Sequence, residues 1–386
     1  MIKNLIYTIL ITFCTSTIFG QNIARVENVK IQSKVLNQER EILIYTPVDY
    51  DWRVNEYFNV IYVFDSQSRE FFDYTSSIIS FLTDNTKTFI IVGITSPYDE
   101  KLDYARNNDL LPVLETKKSI DRYGKYSGNA DNFFDFVCTE IIPYVDSNYR
   151  TLNNRISIGH SLSASFILYS FTKKPDLFDN YIAISPNLAY DNDILANKLV
   201  NFDYSKINRP TFLYLSNANE GIDYWQEWKP ARDKVYSFFN QTLENKNLKV
   251  QIEEFPENNH WNTFPPSLNK SIDFYFKEIY DLQEKELSQK EYDVTIKVKV
   301  LNKKETIYIT GNQDNLGNWN PKEFKMEKIS DLEREIKLKL KSPAQFKFTR
   351  GSWATEAEVT GTYGNITIRP EKQSDFEFDI ENYFDN

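Results

Sequence analysis

The sequence predicts an α/β protein with a mainly parallel central sheet, followed by a small antiparallel β-sandwich. From residue 21 to about residue 280, short apolar strand patterns alternate with helical stretches. This alternation is typical of a parallel sheet that is covered on both faces. After residue 291 the helical signals fade, and short strands of alternating polarity follow one another between turns. At 386 residues the chain is long enough for two domains.

The strands predicted in the first region are short and mostly apolar, as strands buried on both faces require. They cover residues 41–45, 60–64, 88–94, 155–158, 181–185, 211–215 and 251–255. The predicted helices cover residues 131–145, 163–172 and 223–243. The alternation of these elements predicts an α/β domain over residues 21–280.

The second region begins after a charged segment without glycine, residues 281–291, which we interpret as a linker or a frayed helix end. Strands with alternating or β-rich patterns follow at residues 294–300, 306–310, 335–340, 345–348 and 365–368. Such closely spaced strands predict a β-sandwich over residues 292–386.

The first 20 residues have the pattern of a secretory signal peptide. Lys3 supplies a positive start, an apolar core covers residues 5–13, and cleavage is expected near Gly20. We therefore expect a secreted or periplasmic protein. Cys14 leaves with the signal, so the remaining Cys138 has no partner for an internal disulfide. No other stretch is apolar enough to span a bilayer, and the net charge of −10 argues against nucleic acid and anionic membranes as partners.

A candidate nucleophile lies between a strand and a helix, in the turn Gly159-His160-Ser161-Leu162-Ser163. A serine at such a sharp turn presents its hydroxyl above the sheet and at a helix N-terminus. Small residues are needed two positions on either side, because strand and helix approach closely there. Ser161 could instead be an ordinary serine near a helix start.

The chain has only two histidines, which restricts the choice of a general base. His160 adjoins Ser161, and adjacent residues on a tight turn point apart, so we expect it to be a packed structural residue. His260 follows the last strand, and serine first with histidine last is the order in α/β-hydrolases. The alternative for His260 is a surface loop histidine.

The acid that orients the imidazole is expected just after the strand at 211–215. Glu220 is the first candidate and Asp223 the reserve, and either could instead be a carboxylate at a helix start. Backbone N–H groups of Leu162 and of Ser66 or Gln67 would stabilise an oxyanion. We expect no cofactor, and a chain with two histidines is not expected to hold a metal cluster.

Residues from about 35 to 280 resemble the esterase family of α/β-hydrolases that includes esterase-D-like, feruloyl-esterase-like and enterochelin-esterase-like proteins. The matching segments are 60–66, 106–112 with its Arg-x-x-Asp-Leu-x-Pro pattern, 132–144 and 181–187. The resemblance implies the triad Ser161, His260 and an acid at or near Glu220. The chain departs from the family pattern at Ser163 and Ser66, which both replace glycines.

Two tryptophans of the second region lie in turn-rich segments, Trp319 after a Leu-Gly-Asn pattern and Trp353 after a Phe-Lys-Phe strand. From spacing alone they could be core residues. However, residues 292–386 resemble starch-binding domains of carbohydrate-binding module family 20. The resemblance implies that Trp319 and Trp353 stack on sugar rings, with Lys347 near the site.

The sequence favours a secreted serine esterase that forms an acyl-enzyme at Ser161 and carries a glycan-binding module. Its substrate would be a small-molecule or carbohydrate-linked ester, and a starch-like polysaccharide would be its binding partner. The altered glycines motivate an alternative, a degenerate hydrolase domain that only binds glycans. A siderophore esterase or an acyltransferase would use the same residues on another substrate or acceptor.

Overall fold

The computed structural model describes residues 24–83, 87–241 and 245–385. The predicted signal peptide, residues 1–20, lies outside the described residues. Within the described ranges, no helix is long and apolar enough to cross a membrane. Cys138 is partly buried and makes no disulfide with another described residue.

The first part of the chain forms an eight-stranded sheet with the order β1-β2-β4-β3-β5-β6-β7-β8. The pairs from β4 to β8 are parallel, whereas β1–β2 and β2–β4 are antiparallel. The strands are β1 Arg25–Ser33, β2 Gln38–Thr46, β3 Phe58–Phe64, β4 Phe89–Ile94, β5 Thr151–His160, β6 Asn180–Ile184, β7 Thr211–Asn217 and β8 Leu248–Glu254.

The central strands are buried on both faces, which explains their continuous apolar character. Every residue of β3 is buried. Its alternate residues pack into two separate apolar clusters, Val60 and Tyr62 into one, Ile61 and Val63 into the other. These clusters are the two layers between the sheet and its covering helices. The mainly parallel sheet predicted from the sequence is confirmed.

The α-helices are α1 Arg69–Thr83, α2 Arg106–Leu110, α3 Lys117–Tyr123, α4 Ala130–Phe136, α5 Ile142–Asn148, α6 Leu162–Lys173, α7 Tyr190–Val200, α8 Trp228–Gln241, α9 Phe264–Phe274 and α10 Tyr280–Gln283. π-helical turns cover Val137–Ile141 and Tyr275–Ile279, and 3₁₀ turns cover Tyr204–Lys206, Asp314–Leu316 and Trp353–Thr355. The helix predicted at 131–145 is therefore α4 and α5 joined by a π turn.

The helix predicted from residue 223 begins only at Trp228. The segment before it forms a loop in which Trp225 has a positive φ of 50°, a value that a helix does not allow. In this loop the Gly221 amide donates to the carbonyl of Tyr224 at 2.7 Å. The helical pattern of the sequence therefore includes residues before Trp228 that form a loop in the folded protein.

The second part of the chain forms two further sheets, with the orders β11-β10-β14-β16 and β12-β13-β9-β17-β15. Their inner faces share one apolar cluster, as in a β-sandwich. The pairs are antiparallel except β17–β9, which is parallel. The strands are β9 Glu291–Lys299, β10 Tyr308–Gly311, β11 Phe324–Lys325, β12 Glu327–Lys328, β13 Glu333–Lys341, β14 Ala344–Thr349, β15 Ala357–Val359, β16 Ile366–Ile368 and β17 Asp375–Tyr383.

The sandwich contacts the large sheet at the edge where the parallel strands begin. Arg369 donates through Nη1 to the carbonyl oxygen of Thr151, the first residue of β5, at 2.8 Å, and through Nη2 to Asn153 Oδ1 at 3.0 Å. Glu56, two residues before β3, accepts from the amide of Tyr363 at 2.5 Å. The opposite edge, where the parallel strands end, carries the candidate catalytic residues.

Candidate active site

Ser161 lies between β5 and α6 in the conformation expected of a nucleophile at a sharp turn. Its φ and ψ are 61° and −124°, a strained combination for any residue other than glycine. Its amide donates to the carbonyl of Ile184 at the end of β6, at 3.0 Å. The backbone thus holds Ser161 at the carboxyl edge of the sheet, at the N-terminus of α6.

The close approach of strand and helix requires glycine at position 159. A Cβ there would lie 2.6 Å from the carbonyl carbon of Ser163 and 2.7 Å from the nitrogen of Ala164. Ser163 itself fits the turn because its hydroxyl bonds to the backbone of His160. Its Oγ accepts from the His160 amide at 2.9 Å and donates to the His160 carbonyl at 2.8 Å. Ser163, which stands where the family pattern has a second glycine, therefore stabilises the turn through these two hydrogen bonds.

Glu220 and His260 form a buried pair at the same edge of the sheet. His260 Nδ1 lies 2.6 Å from Glu220 Oε1, and the two residues are only 2% and 1% exposed. Burial alone would raise the pKa of Glu220, but the hydrogen bond and charge of His260 outweigh it and hold that pKa below its usual value. The carboxylate thus accepts from Nδ1–H, which leaves Nε2 of His260 as the proton acceptor.

Of the two acids that the sequence left open, Glu220 is the one that contacts His260. Its second oxygen accepts from the Ala218 amide at 2.7 Å, which fixes the carboxylate. Asp223 is exposed and accepts a hydrogen bond from Asn219 at 2.6 Å. The loop after β7 therefore directs one carboxylate inward and the other outward.

His160 connects the turn at Ser161 to the loop that carries His260. Its Nε2 lies 2.7 Å from the carbonyl oxygen of His260, and the two ring centroids are 4.6 Å apart. Burial, together with the neighbouring His260, lowers the pKa of His160 to about 4. The ring is therefore neutral at neutral pH, and Nε2–H donates to the carbonyl. The expected packed role of His160 thus includes a specific hydrogen bond that positions the His260 loop.

The oxyanion loop corrects one sequence-based assignment. The Ser66 amide donates to the carbonyl of Ile94 at 3.0 Å, and its hydroxyl donates to the carbonyl of Val63 at 2.8 Å. The Ser66 N–H is therefore not available to an oxyanion. Leu162, the other assigned donor, is the first residue of α6, where a helix leaves its N–H groups without an intrahelical partner.

An ion pair that the sequence patterns did not reveal joins Asp65, at the start of the oxyanion loop, to the partly exposed guanidinium of Arg106. Asp65 has a positive φ of 63° and is 2% exposed. It accepts from Arg106 Nε at 2.6 Å and from Gln67 Nε2 at 2.9 Å. Burial would raise the pKa of Asp65, but the charge of Arg106 outweighs it and keeps that pKa low. Arg106 could have been identified from the sequence, because it begins the segment 106–112 that resembles the esterase family. Its pairing with Asp65 could not be predicted from the spacing of the two residues.

Aromatic side chains flank His260. The ring centroid of Trp225 is 4.9 Å from that of His260, and Trp225 stacks on Trp228 at 4.7 Å. A cavity of about 240 Å³ lies beside Trp228 and is also lined by Tyr123 and Asn187. The sequence did not reveal this group, because both tryptophans stand in the segment 223–243, whose pattern predicts a helix.

In the sandwich, Trp353 is 41% exposed and Trp319 is partly buried with a positive φ of 64°. Their two loops are joined by a hydrogen bond from Thr349 Oγ1 to the carbonyl of Pro321, at 2.5 Å. The ammonium group of Lys347 pairs with Glu356. No group of three or more metal-ligating side chains occurs among the residues with described positions.

Comparison with known families assigns both parts of the chain. The model of the Putative esterase family matches residues 33–274, well over half of the chain. The starch binding domain model matches residues 291–373.

Individual relatives agree with the esterase family. The chain is 25% identical to ferri-bacillibactin esterase BesA of Bacillus subtilis (strain 168) over 192 residues, which are 48% of this chain and 66%, just under two thirds, of that protein. An IroE-like serine hydrolase from Shewanella oneidensis is structurally similar, with a TM-score of 0.55 and 23% identity over 66% of this chain and 80% of its own. Siderophore hydrolase EstA from Aspergillus nidulans also has a TM-score of 0.55, with 17% identity over 64% of this chain and 93% of its own. The two structures show the α/β-hydrolase fold of the large sheet.

We expect Glu220→Gln to reduce kcat/KM for ester hydrolysis by about 10³- to 10⁴-fold, because the amide neither holds the imidazole in the correct tautomer nor stabilises the imidazolium. The matched variant Asp223→Asn changes the same chemical group three residues away and should stay within about twofold of wild type. Steady-state kinetics on a p-nitrophenyl ester measure both. Equal losses in the two variants would contradict the assignment of Glu220.

We expect His160→Gln to flatten the pH dependence of stability. The pKa of His160 falls from 6.5 to about 4 on folding, so the unfolded chain binds the proton more readily and wild-type stability decreases as pH falls from about 6.5 to 4. This contribution amounts to about 3 kcal/mol and is absent from the variant. Urea unfolding at several pH values measures it. If the free energy of unfolding changes with pH by the same slope in the wild type and the variant, His160 is not held neutral in the folded protein.

Proposed function

Because the chain belongs to the esterase family whose model matches residues 33–274, we propose that it is a serine carboxylic ester hydrolase. The observation that carries this proposal is the buried Glu220–His260 hydrogen bond of 2.6 Å at the sheet edge that also holds the strained Ser161. A surface histidine or an ordinary helix-start serine would need neither feature.

The proposed reaction forms an acyl-enzyme. Nε2 of His260 takes the hydroxyl proton while Ser161 Oγ attacks the ester carbonyl, and the carbonyl oxygen becomes an oxyanion. The alcohol leaves with the proton from His260, and the acyl group stays on Ser161. Water then attacks, His260 takes its proton, and the acid is released as Ser161 regains its hydrogen. The Leu162 N–H and, since the Ser66 amide is occupied, the neighbouring Gln67 N–H are the proposed oxyanion donors.

We propose a carbohydrate-linked ester as substrate, because an esterase region and a region matching the starch binding domain occur in one chain. A siderophore ester is the second candidate, and the similarity to ferri-bacillibactin esterase BesA favours it. In either case the mostly polar cavity of about 240 Å³ beside Trp228 would receive part of the substrate. The signal-like residues 1–20 support secretion, which N-terminal sequencing of exported protein would test.

We expect wild-type protein to hydrolyse p-nitrophenyl acetate and to be labelled by a fluorophosphonate, whereas Ser161→Ala and His260→Ala should each lose about 10⁶-fold in kcat. Ser147→Ala, which changes an exposed serine on α5, is the matched control and should retain full activity. Acetylated maltooligosaccharides and ferri-bacillibactin, assayed in parallel, distinguish the two substrate classes. If the wild-type protein neither hydrolyses the ester nor reacts with the fluorophosphonate, the proposal of an esterase fails. The alternative is then a glycan-binding protein with a degenerate hydrolase region.

We expect Trp353→Ala and Trp319→Ala to reduce binding to starch-like glycan, because aromatic faces stack on sugar rings. Affinity electrophoresis in gels with amylose measures the retardation of each variant. Trp261→Ala removes a tryptophan of the α/β unit that is 75% exposed and should leave the retardation unchanged. Wild-type protein that migrates equally fast with and without amylose would exclude starch as the ligand.

A further inference from the structure

A buried serine stands between the candidate nucleophile and the candidate acid in the order of the sheet. The strands lie in the order β5-β6-β7, with Ser161 directly after β5 and Glu220 in the loop after β7. Ser185 is the first residue after β6, the strand between them. Because Ile184 at the end of β6 pairs with His160 at the end of β5, Ser185 leaves the sheet at the same level as Ser161.

The backbone holds Ser185 in a conformation that serine rarely adopts. Its φ is 48°, in the left-handed region where a Cβ meets steric hindrance. It also precedes Pro186, and residues before a proline prefer an extended conformation with negative φ. The Ser185 amide donates to the carbonyl of Ser216 in β7 at 3.0 Å. Such strain persists only where the surrounding structure requires it, so the sheet edge, rather than local preference, places this side chain.

The side chains of Ser185 and Glu220 both have unused hydrogen-bonding capacity. Each residue is 1% exposed, so bulk water does not satisfy either of them. Oγ of Ser185 makes no hydrogen bond of good geometry with any residue that the structure describes. The Glu220 carboxylate accepts from His260 Nδ1 on one oxygen and from the Ala218 amide on the other, although an ionised carboxylate has about four acceptor positions. Buried polar groups are rarely left in this state in folded proteins.

The groups around the Glu220 carboxylate indicate that the Ser185 hydroxyl is within reach of it. Burial would raise the pKa of Glu220, but His260 lowers it, and the hydroxyl of Ser185 adds to this lowering, which requires the two side chains to be close. Two other polar neighbours bind backbone groups. Arg232 on α8 donates to the backbone carbonyl of Glu220 at 2.6 Å, and the Tyr224 hydroxyl accepts from the His260 amide at 2.6 Å.

We propose that Ser185 is a positioning residue, whose hydroxyl donates to the Glu220 carboxylate and so orients this acid toward His260. A hydroxyl rotates to suit its acceptor, so rotation of the Ser185 side chain completes the bond. A third donor restrains the carboxylate and stabilises its negative charge, and Nε2 of His260 then stays directed at Ser161. The inference rests on the proposed hydrolase function, because the orientation of the base matters for a reaction only if Ser161 is the nucleophile.

Two substitutions separate the hydroxyl of Ser185 from its backbone conformation. Ser185→Ala removes the hydroxyl and keeps Cβ, whereas Ser185→Gly also relieves the positive φ. We expect both variants to lose about tenfold in kcat for p-nitrophenyl acetate, the usual effect of a lost hydrogen bond to a charged group. KM should stay within about twofold, since a buried residue that acts through Glu220 does not contact the substrate.

The pH profile supplies a readout that a merely structural serine would not change. The acid limb of kcat/KM should move to higher pH in both Ser185 variants, because a carboxylate with one donor fewer takes up a proton more readily. Ser170→Ala is the matched control, since Ser170 is a buried serine of α6 that donates to the carbonyl of Phe166 at 2.9 Å. It should keep the wild-type rate and profile. Circular dichroism verifies the fold of each variant.

A spectroscopic measurement tests the same bond without turnover. The low-field proton NMR resonance of His260 Nδ1–H, identified by its absence from His260→Ala, should change at higher pH in both Ser185 variants than in wild type. Wild-type protein without esterase activity would overturn the proposed function, whereas this resonance would still test the pairing of Ser185 with Glu220. A resonance or an acid limb that is unchanged in both variants would overturn the inference. Full activity of Ser185→Gly beside a loss in Ser185→Ala would assign the effect to the backbone and would overturn it as well.

Discussion

The buried hydrogen bond between Glu220 and His260 is the interaction on which the candidate active site depends. Two ionisable groups that are almost fully removed from water are stable only when they pair and when their remaining polar atoms are satisfied. The Ala218 amide satisfies the second carboxylate oxygen, the Tyr224 hydroxyl accepts from the His260 amide at 2.6 Å, and His160 donates to the His260 carbonyl. The loops after β5, β7 and β8 are thus fixed relative to one another.

The two serines that replace glycines are accommodated by hydrogen bonds rather than by empty space. Ser163 bonds to both backbone groups of His160, and Ser66 bonds to the carbonyl of Val63. The Asp65–Arg106 pair joins the oxyanion loop to α2, and Asp65 itself has a positive φ of 63°. These substitutions therefore change how the turn and the loop are braced, while the strained backbone at Ser161 is retained.

The edge of the large sheet where the parallel strands begin and the edge where they end have different roles. The sandwich contacts the edge where strands begin, through Arg369 and Glu56, and the catalytic candidates lie at the edge where strands end. Because the strands are parallel, these edges are separated by the full length of a strand. The part of the chain that carries the tryptophan loops therefore contacts the edge opposite to the one that holds Ser161.

The sequence by itself did not predict β1, α1, α7 or α9, but it predicted the alternation of strands and helices, the turn at Ser161 and His260 as the candidate base. These features depend on local apolar patterns, on the small residues that a sharp turn requires, and on the scarcity of histidine. Only the tertiary structure distinguished Glu220 from Asp223, removed the Ser66 amide from the oxyanion donors and paired Asp65 with Arg106. Each of these depends on which groups of distant segments meet when loops converge on one edge of the sheet, and no local pattern encodes that path.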